Sequence, residues 1–153
     1  MLGIKARHER SAIGWLADGL SLLLPSEVDL LTWPPTSRAR AARRGCDHAR
    51  LLAEAVGRRS GIRAHATLTR GPGPAQQGRS RADRVATGPV FVPLFALDGL
   101  AVVVVDDVVT TGATLSSAGR TLMDAGAVRT HGLAVAATPE PPAPGHSGPH
   151  SGN

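Results

Sequence analysis

Cysteine occurs once in 153 residues, at Cys46. A single thiol builds neither a disulfide framework nor a thiolate zinc cluster, so no zinc is expected. Tyrosine is absent, and aromatics make up 3% of a chain that is 42% hydrophobic. Any core must therefore come from Val, Leu and Ala, and recognition of nucleic-acid bases by stacking has few side chains to use. Lysine is almost missing as well: of 17 basic residues, all but Lys5 are arginine. The +5 balance is thus carried by planar, permanently charged guanidinium groups, which suit phosphate and carboxylate oxygens. An anionic partner is expected, and at this level a small phosphate ligand and a nucleic acid look alike.

Long apolar runs are also lacking, so no membrane insertion is expected. Arg7 and Arg10 precede AIGWLADGLSLLLP, but Asp18 interrupts that stretch and no small-residue cleavage site follows, which leaves a cytoplasmic protein as the default. The six histidines show no ligand spacing except His146 and His150, and those sit in a Pro/Gly/Ser tail that argues against a metal site.

What is present reads as alternating helices and strands. From Ser11, the residues Ile13, Leu16, Ala17, Leu20, Leu23 and Leu24 follow a helical stripe that stops at Pro25. EVDLLTW, from Glu27 to Trp33, is short and apolar and ends at Pro34-Pro35, as a buried strand would. HARLLAEAVGRR places Leu51, Leu52, Ala55 and Val56 on one helical face, and HATLT from His65 reads as a second strand. VFVPLF and AVVVV are apolar strands separated by the turn signal Asp98-Gly99. Leu115, Ala118, Leu122 and Met123 form another helical stripe that ends near Gly126, and LAVAA is a last strand. Residues 70–89 offer almost nothing to bury, which predicts a functional or disordered loop. Residues 139–153 predict a disordered tail behind a single domain of residues 1–138. Strands without polar alternation, separated by helices, predict an α/β fold: a mostly parallel sheet covered on both faces.

The most informative segment is VVVVDDVVTTGAT, Val102 to Thr114. In an open α/β sheet, ligands bind beyond the carboxyl ends of the strands. Val102–Val105 reads as the strand and Asp106–Thr114 as the loop before the next helix. Thr110, Thr111, Gly112, Ala113 and Thr114 offer hydroxyls, approachable backbone N–H groups and a helix N-terminus, an anion cradle for one phosphate. Asp106 and Asp107 would repel that phosphate, so they suit a neighbouring diol, and their hard oxygens also suit Mg²⁺. A ribose 5-phosphate unit satisfies both halves. An ATPase reading of the acidic strand lacks a GK[ST] loop, and a phospho-receiver reading lacks a lysine after the acids. The remaining alternative is a strand end whose acids face solvent and whose Thr114 caps a helix; Thr114 is expected to cap, but capping leaves the two acids unexplained.

All thirteen positions of this segment resemble the phosphoribosyl pyrophosphate (PRPP) signature of type I phosphoribosyltransferases. WPPTSRARAARRGCDHARLLA in turn resembles the PVP…R…RGFNQAxLLA region of ComF-type members, and Gln76 followed by SRADR resembles their Q…SRAER. The differences are Cys46 at a usual aromatic, His48 at a usual glutamine, Thr87 at a usual asparagine, and no four-cysteine zinc ribbon. The resemblance implies a sheet of about five strands with flanking helices and a flexible hood. It implies that Asp106, Asp107 and Arg84 serve catalysis and that Asp106 and Asp107 face Mg²⁺. By the same resemblance Thr110, Thr111, Gly112, Ala113 and Thr114 would bind the 5-phosphate, and Pro35, Arg40 and Arg44 would belong to the pyrophosphate side.

The activity implied is transfer of a phosphoribosyl group to an unidentified acceptor with release of pyrophosphate. Arg70, Arg79, Arg81 and Arg84 could then close over the leaving group. The alternatives are a PRPP or nucleotide sensor without turnover, and an accessory protein of competence and DNA uptake that contacts single-stranded DNA. A homodimer is also among the expected partners.

Overall fold

The computed structural model describes residues 2–36, 47–72 and 88–138. The tail expected at residues 139–153 therefore lies outside the described residues. Helix α1 spans Leu2–Ser21 and is followed by β1, Leu30–Thr32. Helix α2 covers His48–Ser60, with the short strands β2, Arg63–Ala64, and β3, Leu68–Arg70, behind it. Then come β4, Phe91–Pro93, the long β5, Ala101–Val109, helix α3, Ala113–Asp124, and β6, Arg129–Ala137.

Four of these strands form one parallel sheet in the order β2-β1-β5-β6. The fold is the α/β arrangement with helices on both faces that the apolar runs predict. Alternation along β5 shows how. Val103 and Val105 join Leu31, Ala17 and Leu20 of α1, and Leu52, Ala53, Ala55 and Val56 of α2 in one buried cluster. Val102 and Val104 face the opposite way, into a second cluster with Leu30, Ala118 and Leu122 of α3. With a side-chain period of two, a run of valines fills both cores at once, and this is why polar alternation is missing.

The expected fifth strand of the sheet is not among the described residues. HATLT and VFVPLF instead supply β3 and β4, which pair with each other antiparallel as a separate two-stranded unit. Leu68 and Phe91 of that unit complete the second core cluster. Proline is the local cause: Pro93 has no N–H and is tolerated at an edge rather than inside a ladder.

The two-stranded unit is tied to the main sheet by a buried polar contact. Thr32 at the end of β1 and Thr67 just before β3 are both fully buried, their hydroxyls 2.8 Å apart. Thr32 Oγ1 also accepts the backbone N–H of Thr67 at 3.3 Å. The two threonines are therefore unequal. Thr32→Val strands both a buried hydroxyl and a buried N–H, and should cost about 2–3 kcal/mol in urea unfolding. Thr67→Val leaves Thr32 Oγ1 its backbone partner and should cost about 1 kcal/mol or less.

Candidate functional site

Strand β5 outruns its neighbour on one side. It pairs with β1 only through Val104, opposite Thr32, but with β6 as far as Val109, opposite Ala137. The acids thus lie inside the strand rather than in the loop that sequence places at Asp106–Thr114; pairing with β6 holds Asp106 opposite Ala134. Beyond Val104 the ladder with β1 stops, because β1 ends at Thr32, and Pro34, Pro35 and Thr36 line a cavity together with the acids instead. This one-sided ladder leaves a cavity beside two carboxylates that a full ladder would have closed in.

Each acid is fixed by its own backbone. Asp106 Oδ1 accepts the N–H of Asp107 at 2.8 Å, and Asp107 Oδ1 accepts the N–H of Val108 at 2.9 Å. Both residues are half-buried.

Past Val109 the chain turns through Thr110–Gly112 into α3. Gly112 is the N-cap, in the left-handed region at φ 73°, and has no side chain with which to cap the helix. Thr114 thus sits in the first turn instead of at the cap. The glycine makes this possible by taking a conformation that threonine avoids. Thr111 Oγ1 accepts the N–H of Ala113 at 3.4 Å, so one hydroxyl of the turn already faces the helix start. On the far side Thr138 closes the strand end, its N–H donating to Val109 O at 2.8 Å.

Two adjoining cavities meet at the acids. One is lined by Asp106 through Leu115, so it contains Thr110, Thr111, Gly112, Ala113 and Thr114. The other is lined by Asp106, Asp107 and Thr114 together with Pro34, Pro35 and Thr36 after β1, Asp47, His48 and Ala49 at the start of α2, and Arg70. The N-termini of α2 and α3 both reach this region, and helix N-termini favour anions. Arg70 donates from Nε to the carbonyl of Pro35 at 3.0 Å and lies over the Phe91 ring, which links the two-stranded unit to the turn after β1.

Of the expected site residues, the structure brings together Asp106, Asp107, Thr110, Thr111, Gly112, Ala113, Thr114 and Pro35, with Arg70 beside them. Arg40, Arg44 and Arg84 lie outside the described residues, as do Arg38, Arg43, Cys46, Gln76, Arg79 and Arg81. Thr36, Asp47 and Ala49 were not expected. Asp47 carried a readable signal, since an aspartate just before an apolar-periodic segment is an N-cap pattern; its side chain accepts the N–H of Arg50 at 3.3 Å. One turn into α2, the hydrogen bond from Arg50 to Glu54, followed by the Glu54 charge, raises the guanidinium pKa further, so Arg50 stays cationic.

No family model matches the chain. Among curated proteins, Competence protein ComFC of Bacillus subtilis (strain 168) is 32% identical over 107 residues, which is 69% of this chain and 43% of that protein. The chain thus spans less than half the length of the curated relative it matches. Among solved structures, glutamine phosphoribosylpyrophosphate (PRPP) amidotransferase from B. subtilis superposes with a TM-score of 0.57 at 22% identity, over 82% of this chain and 26% of that one. A hypoxanthine phosphoribosyltransferase from Staphylococcus aureus superposes with a TM-score of 0.51 at 11% identity, over 85% and 65% of the two chains. The parallel four-stranded sheet with its flanking helices is that of the type I phosphoribosyltransferase fold. Within that fold, the chain is a ComF-type member.

Proposed function

We propose that the chain binds PRPP between the end of β5 and the start of α3, and transfers its phosphoribosyl group to a nitrogen nucleophile. The observation that carries this reading is the adjacency of two unlike surfaces. Carboxylates at Asp106 and Asp107 face one cavity wall, and the threonine-glycine turn from Thr110 to Thr114 forms the next. The acids accept from the ribose hydroxyls, while the hydroxyls and N–H groups of the turn donate to the 5-phosphate. Pro35, Arg40, Arg44 and Arg84 are assigned to the pyrophosphate side.

In the reaction, the bond from the anomeric carbon to the pyrophosphate oxygen breaks and a carbon–nitrogen bond forms, with the proton of the nucleophile passing to solvent or a base. Positive charge gathers on the ring as negative charge collects on the leaving group. Fixed carboxylates below the sugar and arginines around pyrophosphate match that separation.

The donor set also fits Mg²⁺. Among the described residues there is no cluster of three or more acidic, histidine or cysteine ligands. Two adjacent carboxylates suit an ion that takes its other ligands from water and substrate phosphates, as Mg²⁺ commonly does. Asp106 and Asp107 would hold it on the diol side, where it would neutralise charge on the departing pyrophosphate.

Thermal unfolding with and without Mg-PRPP tests the proposal. Wild type should be stabilised, and Asp107→Asn should weaken apparent affinity by about tenfold or more, the scale of one charge-assisted hydrogen bond. Absence of stabilisation in wild type would sink the reading. A screen of bases and amines for pyrophosphate release then separates a transferase from a sensor, because stabilisation without release from any acceptor would confine the site to PRPP sensing. The name of the curated relative supports a setting in competence, and on that ground a role in DNA uptake is part of the proposal.

A further inference from the structure

The flank of α3 that faces β6 borders a cavity distinct from the two at the end of β5. It is a groove of about 580 Å³, lined from the helix by Ser116, Gly119, Arg120 and Met123 and from the strand by Thr130 and Gly132. Helical spacing sets those four helix positions on one face. Thr130 and Gly132 pair opposite Val102 and Val104, so they share the sheet face that α3 covers. Val104 and Leu115 close the inner wall. Leu115 also lines the cavity of the threonine-glycine turn, so the first turn of α3 separates the two spaces.

We infer that this groove is a second ligand site, for a small molecule that joins a phosphate to an apolar ring. Charge is the first ground. No carboxylate lines the groove, whereas Asp106 and Asp107 line both cavities at the end of β5. Among the described residues Arg120 makes no ion pair, and the side chains of Arg120, Ser116 and Thr130 make no hydrogen bond. The fold therefore gives none of the three a structural task.

Gly119 lets these donors converge. A Cβ built there would lie 3.1 Å from Thr130 Oγ1, so any side chain at 119 would crowd that hydroxyl. Glycine is a poor residue for the middle of a helix, and here it leaves the hydroxyl open to the groove beside Ser116 and Arg120. The guanidinium fork alone satisfies a carboxylate. A phosphate takes further donors from other directions, which one hydroxyl on the helix and one on the strand supply. The ring follows from the rest of the lining. Val104, Leu115 and Met123 make an apolar wall beside the donors, and Met123 is 45% exposed, its thioether well suited to an aromatic edge.

Adenosine 5′-monophosphate is the probe, titrated into the isotope-labelled full chain while amide NMR shifts are followed. Saturable shifts should gather on Gly119, Arg120, Thr130 and Gly132, apart from any at the turn from Thr110 to Thr114. Arg120→Gln should raise the dissociation constant read at the groove about tenfold or more, the scale of a charge-assisted hydrogen bond, and adenosine without its phosphate should bind as weakly. Gly119→Ala gives an independent reading: its methyl crowds Thr130 Oγ1 and should also weaken binding, while a better helix former keeps the melting temperature level or higher. Shifts confined to Thr110–Thr114, or no saturable shift anywhere, would overturn the inference. So would an affinity at the groove that Arg120→Gln leaves unchanged, or that adenosine matches.

Discussion

Alanine at Gly88 will destabilise the protein by about 3–5 kcal/mol, out of the roughly 5–15 kcal/mol that hold a typical domain together. Two independent penalties meet there. Gly88 sits at φ 69°, where an L side chain is strained. A Cβ built on it also falls 2.6 Å from the carbonyl oxygen of Ala113 and 3.0 Å from its carbonyl carbon. Those atoms are backbone, so no rotamer change relieves the overlap. Ala113 is the first residue of α3, and one turn later Ser117 Oγ donates to the carbonyl of Pro89 at 2.6 Å. Residues 88 and 89 thus buttress the start of the helix whose N-terminus closes the proposed phosphate cradle. Relief of the clash must push that start outward. Urea unfolding of Gly88→Ala should show the loss of stability, and any folded fraction should lose most of its stabilisation by Mg-PRPP. An unchanged urea midpoint would mean that this approach does not hold the helix start.

Much of this architecture was legible in the sequence, for identifiable reasons. Helix α2 and the stripe of α3 follow periods that only a helix satisfies, and the valine run of β5 could fill two cores only as a central strand. The parallel α/β class followed from those runs. The turn from Thr110 to Thr114 was legible because its composition serves backbone geometry rather than packing.

What was misread shares a cause: tertiary context at the edges of elements. Strand β5 was expected to stop at Val105, with the acids in the loop beyond its carboxyl end, yet pairing with β6 alone carries it to Val109. Helix α1 was read from Ser11, where its apolar stripe begins, but it starts at Leu2 because LGIKARHER contains good helix formers without a repeated apolar face. VFVPLF looked like a sheet strand because hydrophobicity alone does not tell a central strand from a two-stranded unit lying over the second core. Asp47 is far from the acids in sequence, and only the start of α2 beside the end of β1 brings it to them.

Gly112 will decide how much of the proposed phosphate cradle depends on backbone conformation alone. It adopts φ 73°, yet a Cβ there would meet nothing within 4 Å. A substitution is therefore penalised for strain and not for volume, whereas at Gly88 both penalties apply. Residue types should separate accordingly. Asparagine visits the left-handed region at modest cost, so Gly112→Asn should retain PRPP affinity within about threefold. Valine is branched at Cβ and is a genuine outlier at positive φ, so the turn must unwind to accept it. Gly112→Val should lower PRPP affinity by on the order of a hundredfold, because the N–H groups of the turn and of the α3 start lose their common aim together. Global stability should fall far less than in Gly88→Ala, by about 1–3 kcal/mol, since no core atom moves. Isothermal titration with Mg-PRPP, set beside urea unfolding of the same variants, distinguishes the cases. If asparagine and valine weaken binding equally, the left-handed turn is not what orients the donors, and the cradle must be attributed to the threonine hydroxyls instead.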